Sequence, residues 1–140
     1  MKYKTCVAIA ENNPKKLATI VKNALKKSDF VEIRFDFLNP NDIPNTLELV
    51  KKQLVRCVCT LRPKSEGGQF AGSENERKSI IKLIAEYNPF LLDVEFNTLK
   101  KDKKFLNSIK KSKTKILVSW HDFKKTPTLR NLNKKFIVMR

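Results

Sequence analysis

The sequence predicts an α/β fold in which about five parallel strands alternate with helices packed outside them, an incomplete (β/α)8 barrel. Short apolar runs bounded by polar turns alternate with longer stretches of helical period, the signature of repeated βα units. Such a series fits either an open doubly wound sheet or part of a barrel. The first βα turn, Glu11-Asn12-Asn13, has none of the glycines that cradle a dinucleotide phosphate, so the doubly wound reading loses its main support. Charged residues gather at the ends of consecutive strands, where the chemistry of a βα barrel sits.

The strands are expected at Lys4 to Ala10, Phe30 to Phe35, Val55 to Leu61, Phe90 to Glu95 and Lys115 to Trp120. Helices are expected at Pro14 to Lys27, Asn41 to Gln53, Glu74 to Tyr87 and Lys101 to Lys111, with a fifth after Pro127 reaching Arg140. Pro14 opens the first helix, and Leu17, Ile20, Val21, Ala24 and Leu25 recur on one face of it. Ser73-Glu74-Asn75-Glu76 reads as a capping box ahead of the third. The terminal Phe136 to Arg140 has strand-like composition but comes early for a sixth strand. No low-complexity linker interrupts the series, so residues 1–140 are expected to form one partial barrel domain.

Composition excludes several classes. No stretch approaches the roughly 20 apolar residues needed to cross a bilayer, and Met1-Lys2-Tyr3-Lys4-Thr5-Cys6 lacks a signal-peptide core, so a cytoplasmic protein without membrane partners is expected. Cys6, Cys57 and Cys59 all fall in apolar strand runs. With no second Cys or His pair at ligand spacing, buried reduced thiols are expected rather than a zinc site. Net charge is +16, from 30 Lys and Arg against 14 Asp and Glu, which raises the possibility of a polyanion partner. The lysines are scattered as pairs such as Lys15-Lys16, Lys51-Lys52 and Lys110-Lys111, and no nucleic-acid motif accompanies them. A solvated surface is the expected reading, and nucleic acid is not the expected partner.

The candidate chemistry lies in four consecutive strand ends. Glu32, Arg34 and Asp36 share one face by the two-residue strand period, and Glu32 is expected to pair with Arg34. Arg62 follows the third strand and precedes Glu66-Gly67-Gly68. Asp93 and Glu95 close the fourth. His121, the single histidine, follows the fifth and is the side chain best suited to take and return a proton near neutral pH. Each has a plain alternative: a surface ion pair, a turn at Gly67-Gly68, a helix cap at Asp122 or Thr126. Together, two arginines beside carboxylates and a histidine suit an anionic polyol carboxylate, because guanidinium grips a carboxylate through two parallel hydrogen bonds.

Val31-Glu32-Ile33-Arg34-Phe35-Asp36, Thr60-Leu61-Arg62, Glu66-Gly67-Gly68, Gly72-Ser73-Glu74, Glu76-Arg77, Asp93-Val94-Glu95 and Ser119-Trp120-His121-Asp122-Phe123 with Thr126-Pro127 resemble, in order, type I 3-dehydroquinate dehydratase. The resemblance runs from about Thr5 to Pro127. It implies a (β/α)8 TIM barrel that dehydrates 3-dehydroquinate to 3-dehydroshikimate in the shikimate pathway of aromatic amino acid and chorismate biosynthesis. It also implies a homodimeric lyase with no metal or other cofactor. By position, His121 matches the general acid/base, Glu66 a carboxylate supporting it, and Glu32, Ile33, Arg34 and Arg62 the substrate-binding residues, Ile33 through its backbone. Two departures follow. Ala8 stands where many members have a serine, a hydrogen bond of about 1 kcal/mol. The family's Schiff-base lysine, on the strand after the histidine's, has no match in this chain, and Lys134 and Lys135 fall in an expected helix instead. The expectation is a barrel truncated at its C-terminus with little or no Schiff-base activity. An inactive remnant or an interaction module is the alternative, with a basic nucleic-acid-binding protein behind it.

Overall fold

In the computed structural model, which describes residues 3–139, five strands form one parallel sheet in the order β1 (Cys6–Ile9), β2 (Phe30–Arg34), β3 (Cys57–Thr60), β4 (Leu91–Glu95) and β5 (Lys115–Ser119). Chain order and spatial order coincide, as in a barrel wall and unlike a doubly wound sheet, whose order reverses at a switch point. No helix among the described residues is long and apolar enough to cross a membrane.

Period two divides each strand between two faces. Val31, Ile33, Cys57, Cys59, Leu92 and Val94 are fully or almost fully buried and join one apolar cluster with residues of the helices. The other face carries polar and small residues in register. Ala8 pairs with Glu32 and Glu32 with Val58; one pleat further on, Arg34 pairs with Thr60 and Thr60 with Asp93. Glu95 pairs with Ser119 at the β4–β5 boundary. Parallel registration thus gathers the polar strand-end residues on one wall.

The helices obey local signals. In α1 (Pro14–Ala24), Asn13 accepts from the Lys16 amide at 3.0 Å, and Leu17 and Val21 are buried. The second expected helix starts late, as α2 (Ile43–Val50), because Pro40–Asp42 first makes a 3-10 turn. Ser73 accepts from the Glu76 amide at 3.2 Å to start α3 (Glu74–Glu86). The helix expected from Lys101 to Lys111 is α5 (Lys103–Ile109), and a short helix not anticipated from sequence, α4 (Phe96–Lys101), precedes it. Asp102 separates them: its backbone leaves helical geometry (φ −139°, ψ 88°) and its carboxylate accepts from the Phe105 amide at 2.9 Å to cap α5.

After Pro127 comes α6 (Leu129–Met139), a helix and not a strand; the expected end at Arg140 lies outside the described residues. Thr128, not Asp122 or Thr126, accepts from an α6 amide, that of Asn131 at 3.4 Å. Asp122 instead closes a tight turn, accepting from Lys124 and Lys125 amides at 2.9 and 3.3 Å. The ammonium of Lys135 lies 4.5 Å from the Trp120 ring centroid and 5.4 Å from that of Phe96, a cation–π clamp that ties α6 to the ends of β4 and β5.

One cysteine departs from expectation. Cys57 and Cys59 are buried, but Cys6 is exposed because β1 is an outer strand with no neighbour beyond it among the described residues.

Candidate active site

Arg62, just past the end of β3, meets residues from the ends of β4 and β5. Its Nη2 donates to Asp93 Oδ2 at 2.5 Å, and its Nη1 donates to Ser119 Oγ at 2.9 Å. The same Nη1 lies 2.7 Å from His121 Nδ1. Glu66, at the end of the 3-10 turn Lys64–Glu66, accepts from the His121 amide at 3.2 Å and from Asn97 Nδ2 at 3.0 Å. Its Oε2 is 3.4 Å from His121 Nδ1. The turn is tight by necessity. Gly67 has φ +80°, and a Cβ there would collide with the Phe123 ring, which stacks beside His121 at 6.2 Å. At Gly68 a Cβ would strike the Arg62 carbonyl, so that glycine is required by close approach, and Gly67 by close approach and backbone conformation both.

Arg34 makes a different pair from the one its spacing suggests. Its guanidinium binds Asp36 through two hydrogen bonds, Nε to Oδ1 at 2.9 Å and Nη2 to Oδ2 at 2.8 Å, while Glu32 accepts from Thr60 Oγ1 at 2.8 Å. The expected Glu32–Arg34 pair does not form because Phe35–Phe37 coils into a 3-10 turn directly after β2 and brings Asp36 back over Arg34. Asp36 also accepts from the Gln69 amide at 3.0 Å, tying β2 to the glycine turn. The two bonds that Arg34 donates to Asp36 hold its guanidinium even more firmly in its charged form. Ile33 contributes no side chain to this face; it is buried on the helix side and pairs with Ile9 and Cys59.

Beneath the site lies a second arginine network. Arg77 of α3, 1% exposed, donates to Glu95 Oε2 at 2.5 Å, to the Leu61 carbonyl at 3.1 Å and to Thr98 Oγ1 at 2.5 Å. Two further bonds of 2.9 Å reach Glu74. Burial pushes the Glu95 carboxyl upward, with Arg77 pulling the other way. For Glu74, burial also pushes upward, but the bonds from Arg77 win and hold the carboxyl below its usual range.

Of the residues anticipated from sequence, His121, Glu66 and Arg62 meet in one cluster, with Glu32 and Arg34 further along the same sheet face. Sequence reasoning noticed Asp93 and Glu95 as paired carboxylates but gave them no role; they are the anchors of Arg62 and Arg77. Asn97 was not anticipated, and Ser119 was named only as part of the fifth strand's end, without a role. Asn97 reaches Glu66 only because α4 begins at Phe96 with no loop after β4, and Ser119 shares the face of His121 by period two, the signal that could have found it.

A wall of parallel βα units in sequential order, with an arginine, a histidine and buried carboxylates gathered at the C-terminal ends of its strands, defines a protein of the βα-barrel class. The chain belongs to the type I 3-dehydroquinase family, whose model matches residues 5–140. It is 37% identical over 133 residues to 3-dehydroquinate dehydratase of Methanococcus maripaludis, covering 91% of this chain and 57% of that protein. It is 36% identical over 107 residues to a bifunctional chloroplastic 3-dehydroquinate dehydratase/shikimate dehydrogenase of Arabidopsis thaliana, covering 76% of this chain and 18% of that protein. The structure of 3-dehydroquinate dehydratase from Enterococcus faecalis superposes with a TM-score of 0.85 at 25% identity, over 97% of this chain and 60% of that one. The chain therefore spans about three-fifths of the single-function relatives it matches.

Proposed function

We propose that this chain carries the substrate-recognition and proton-transfer part of a 3-dehydroquinate dehydratase. The observation that carries the reading is the Arg62–His121–Glu66 cluster on the rim of a sheet that also presents Glu32 and Arg34. Arg34 and Arg62 supply guanidinium donors for the substrate's carboxylate and hydroxyls, and Glu32 accepts from a hydroxyl. His121 removes the proton beside the ketone and returns it to the departing hydroxyl, which leaves as water. Glu66 holds the imidazole in line through the His121 amide and ring. Activating the ketone as an electron sink needs an amine that condenses with it. None of the five strands carries a lysine at its C-terminal end, and Lys135 lies against Trp120 and Phe96.

A second reading, a binding or interaction module, is favoured by one observation. β1 and β5 each have only one neighbour among the described residues, leaving Val7 and Leu117 exposed at 44% and 42%. Calorimetric titration with 3-dehydroquinate, followed by borohydride reduction and mass spectrometry, separates the two. Saturable binding that is lost in Arg34→Ala supports the dehydratase site, and with no strand-end lysine the borohydride step should leave the 140-residue chain unmodified. Absence of binding by the folded wild-type protein overturns the substrate reading and leaves the module.

A further inference from the structure

Two groups with opposite demands share one ring nitrogen of His121. Arg62 has only N–H donors, so the 2.7 Å approach of its Nη1 requires a lone pair on Nδ1. Glu66, as a carboxylate, has only acceptors, so its Oε2 at 3.4 Å requires a proton on the same Nδ1. Both cannot be satisfied together. The shorter contact decides the resting state: Nδ1 accepts from Arg62, and the neutral ring carries its proton on Nε2. Glu66 is content in this state, because the His121 amide and Asn97 already donate to it.

Arg62 also has somewhere else to go. Asp93 Oδ1 and Glu95 Oε1 are buried and accept no hydrogen bond from any described residue. Arg62 grips Asp93 through one oxygen only, and its Nη1 lies 3.6 Å from Glu95 Oε1, within ion-pair distance but beyond a hydrogen bond. A small rotation of the guanidinium would exchange one acceptor for another inside the same buried cluster, without stranding a charge. Both carboxylates thus offer the Arg62 guanidinium a further buried acceptor within its own cluster.

We propose that Arg62 is a positioning residue that gates the tautomer of His121. With Arg62 on Nδ1, the Nε2 that no described residue engages carries a proton and cannot act as a base. When Arg62 turns to Asp93 Oδ1 and Glu95 Oε1, or to the carboxylate of an incoming ligand, Nδ1 binds Glu66 as a donor and Nε2 presents its lone pair. The ring is neutral before and after: Nδ1 takes a proton from water and Nε2 then gives one back, with no net change of charge. The ring is open enough for this exchange, at 35% exposure. The resting tautomer and its dependence on Arg62 stand on geometry alone; only release by ligand rests on the substrate reading above.

With one histidine in the chain, the test needs no assignment of competing rings. Long-range proton–nitrogen correlation spectra of the 15N-labelled full chain, taken at alkaline pH where the ring is neutral, distinguish the two tautomers directly. The free wild-type protein is expected to give the Nε2–H pattern, and Arg62→Gln to shift the ring toward Nδ1–H. Arg62→Lys, which keeps a charge beside Asp93 but cannot reach both partners with one ammonium, should shift it the same way and serves if the glutamine variant does not fold. Nδ1–H in the free wild type, or a pattern unchanged in both variants, overturns the gate. Saturation with quinate, a cyclic polyol carboxylate without the ketone, should convert the wild-type pattern to Nδ1–H. Quinate that perturbs the Glu32 and Arg34 amides while the ring stays Nε2–H overturns release alone. Quinate that perturbs nothing overturns the substrate reading, with the resting tautomer still decided by the free protein.

Discussion

Arg77 and Glu95 form an ion pair at 2.5 Å in which each side chain is 1% exposed, linking helix α3 to the end of β4 directly below the site. Removing one partner leaves an uncompensated buried charge, so Arg77→Met should lower unfolding free energy by about 3–5 kcal/mol in a denaturant titration. Replacing both, as Arg77→Met with Glu95→Leu, should recover most of that loss. A double variant no more stable than the single one would mean that Arg77 acts through Glu74 and Thr98 rather than through Glu95.

Asp36 is expected to act on ligand binding through Arg34. Asp36→Ala frees the guanidinium it holds by two bonds and should weaken quinate binding about tenfold, roughly 1.4 kcal/mol. The check is a double-mutant cycle by calorimetry. Asp36→Ala should add almost nothing in an Arg34→Ala background, whereas additive losses would assign Asp36 an independent contact.

Gly67→Ala should destabilise the protein by about 1–2 kcal/mol from the left-handed backbone alone. It should also displace the Phe123 ring. Adding Phe123→Ala should relieve only the second effect, read as a partial recovery of the denaturation midpoint and of the His121 ring resonances.

The three thiols should behave unequally. Cys6 is exposed and should react with a thiol reagent under native conditions, while Cys57 and Cys59 should not. Burial pushes the Cys57 thiol up from 9.0 to about 12. A folded value above the unfolded one means that the buried neutral thiol's contribution is fully present below pH 9 and is lost as pH rises toward 12. Stability should therefore fall over that window, and Cys57→Ala should flatten the fall. An unchanged alkaline slope in that variant would refer the effect to other groups.

Much of this was legible in the sequence because it depends on period. The alternation of Val31, Ile33 and their neighbours fixes which face of β2 meets the helices, and the same alternation puts Glu32 and Arg34 on the other. Less legible were features that depend on where an element stops. The 3-10 turn after β2 redirects Asp36 and so changes the partner of Arg34, and the immediate start of α4 after β4 brings Asn97 to Glu66. The opposed claims on His121 Nδ1 were beyond sequence altogether, since they turn on a difference between 2.7 and 3.4 Å.

The coincidence of chain order and spatial order in the sheet bears on how the molecule is made. Each of the five described strands after the first pairs with the one synthesised just before it, so these pairings join neighbouring βα units. Loop-closure entropy is then met in small instalments, and the sheet can grow unit by unit as the polypeptide leaves the ribosome. On this route the His121 cluster assembles after the first four strands and before α6 docks. Arg62, Glu66 and Asp93 are in place before β5 arrives, and the proton-transfer centre forms when that strand docks against β4.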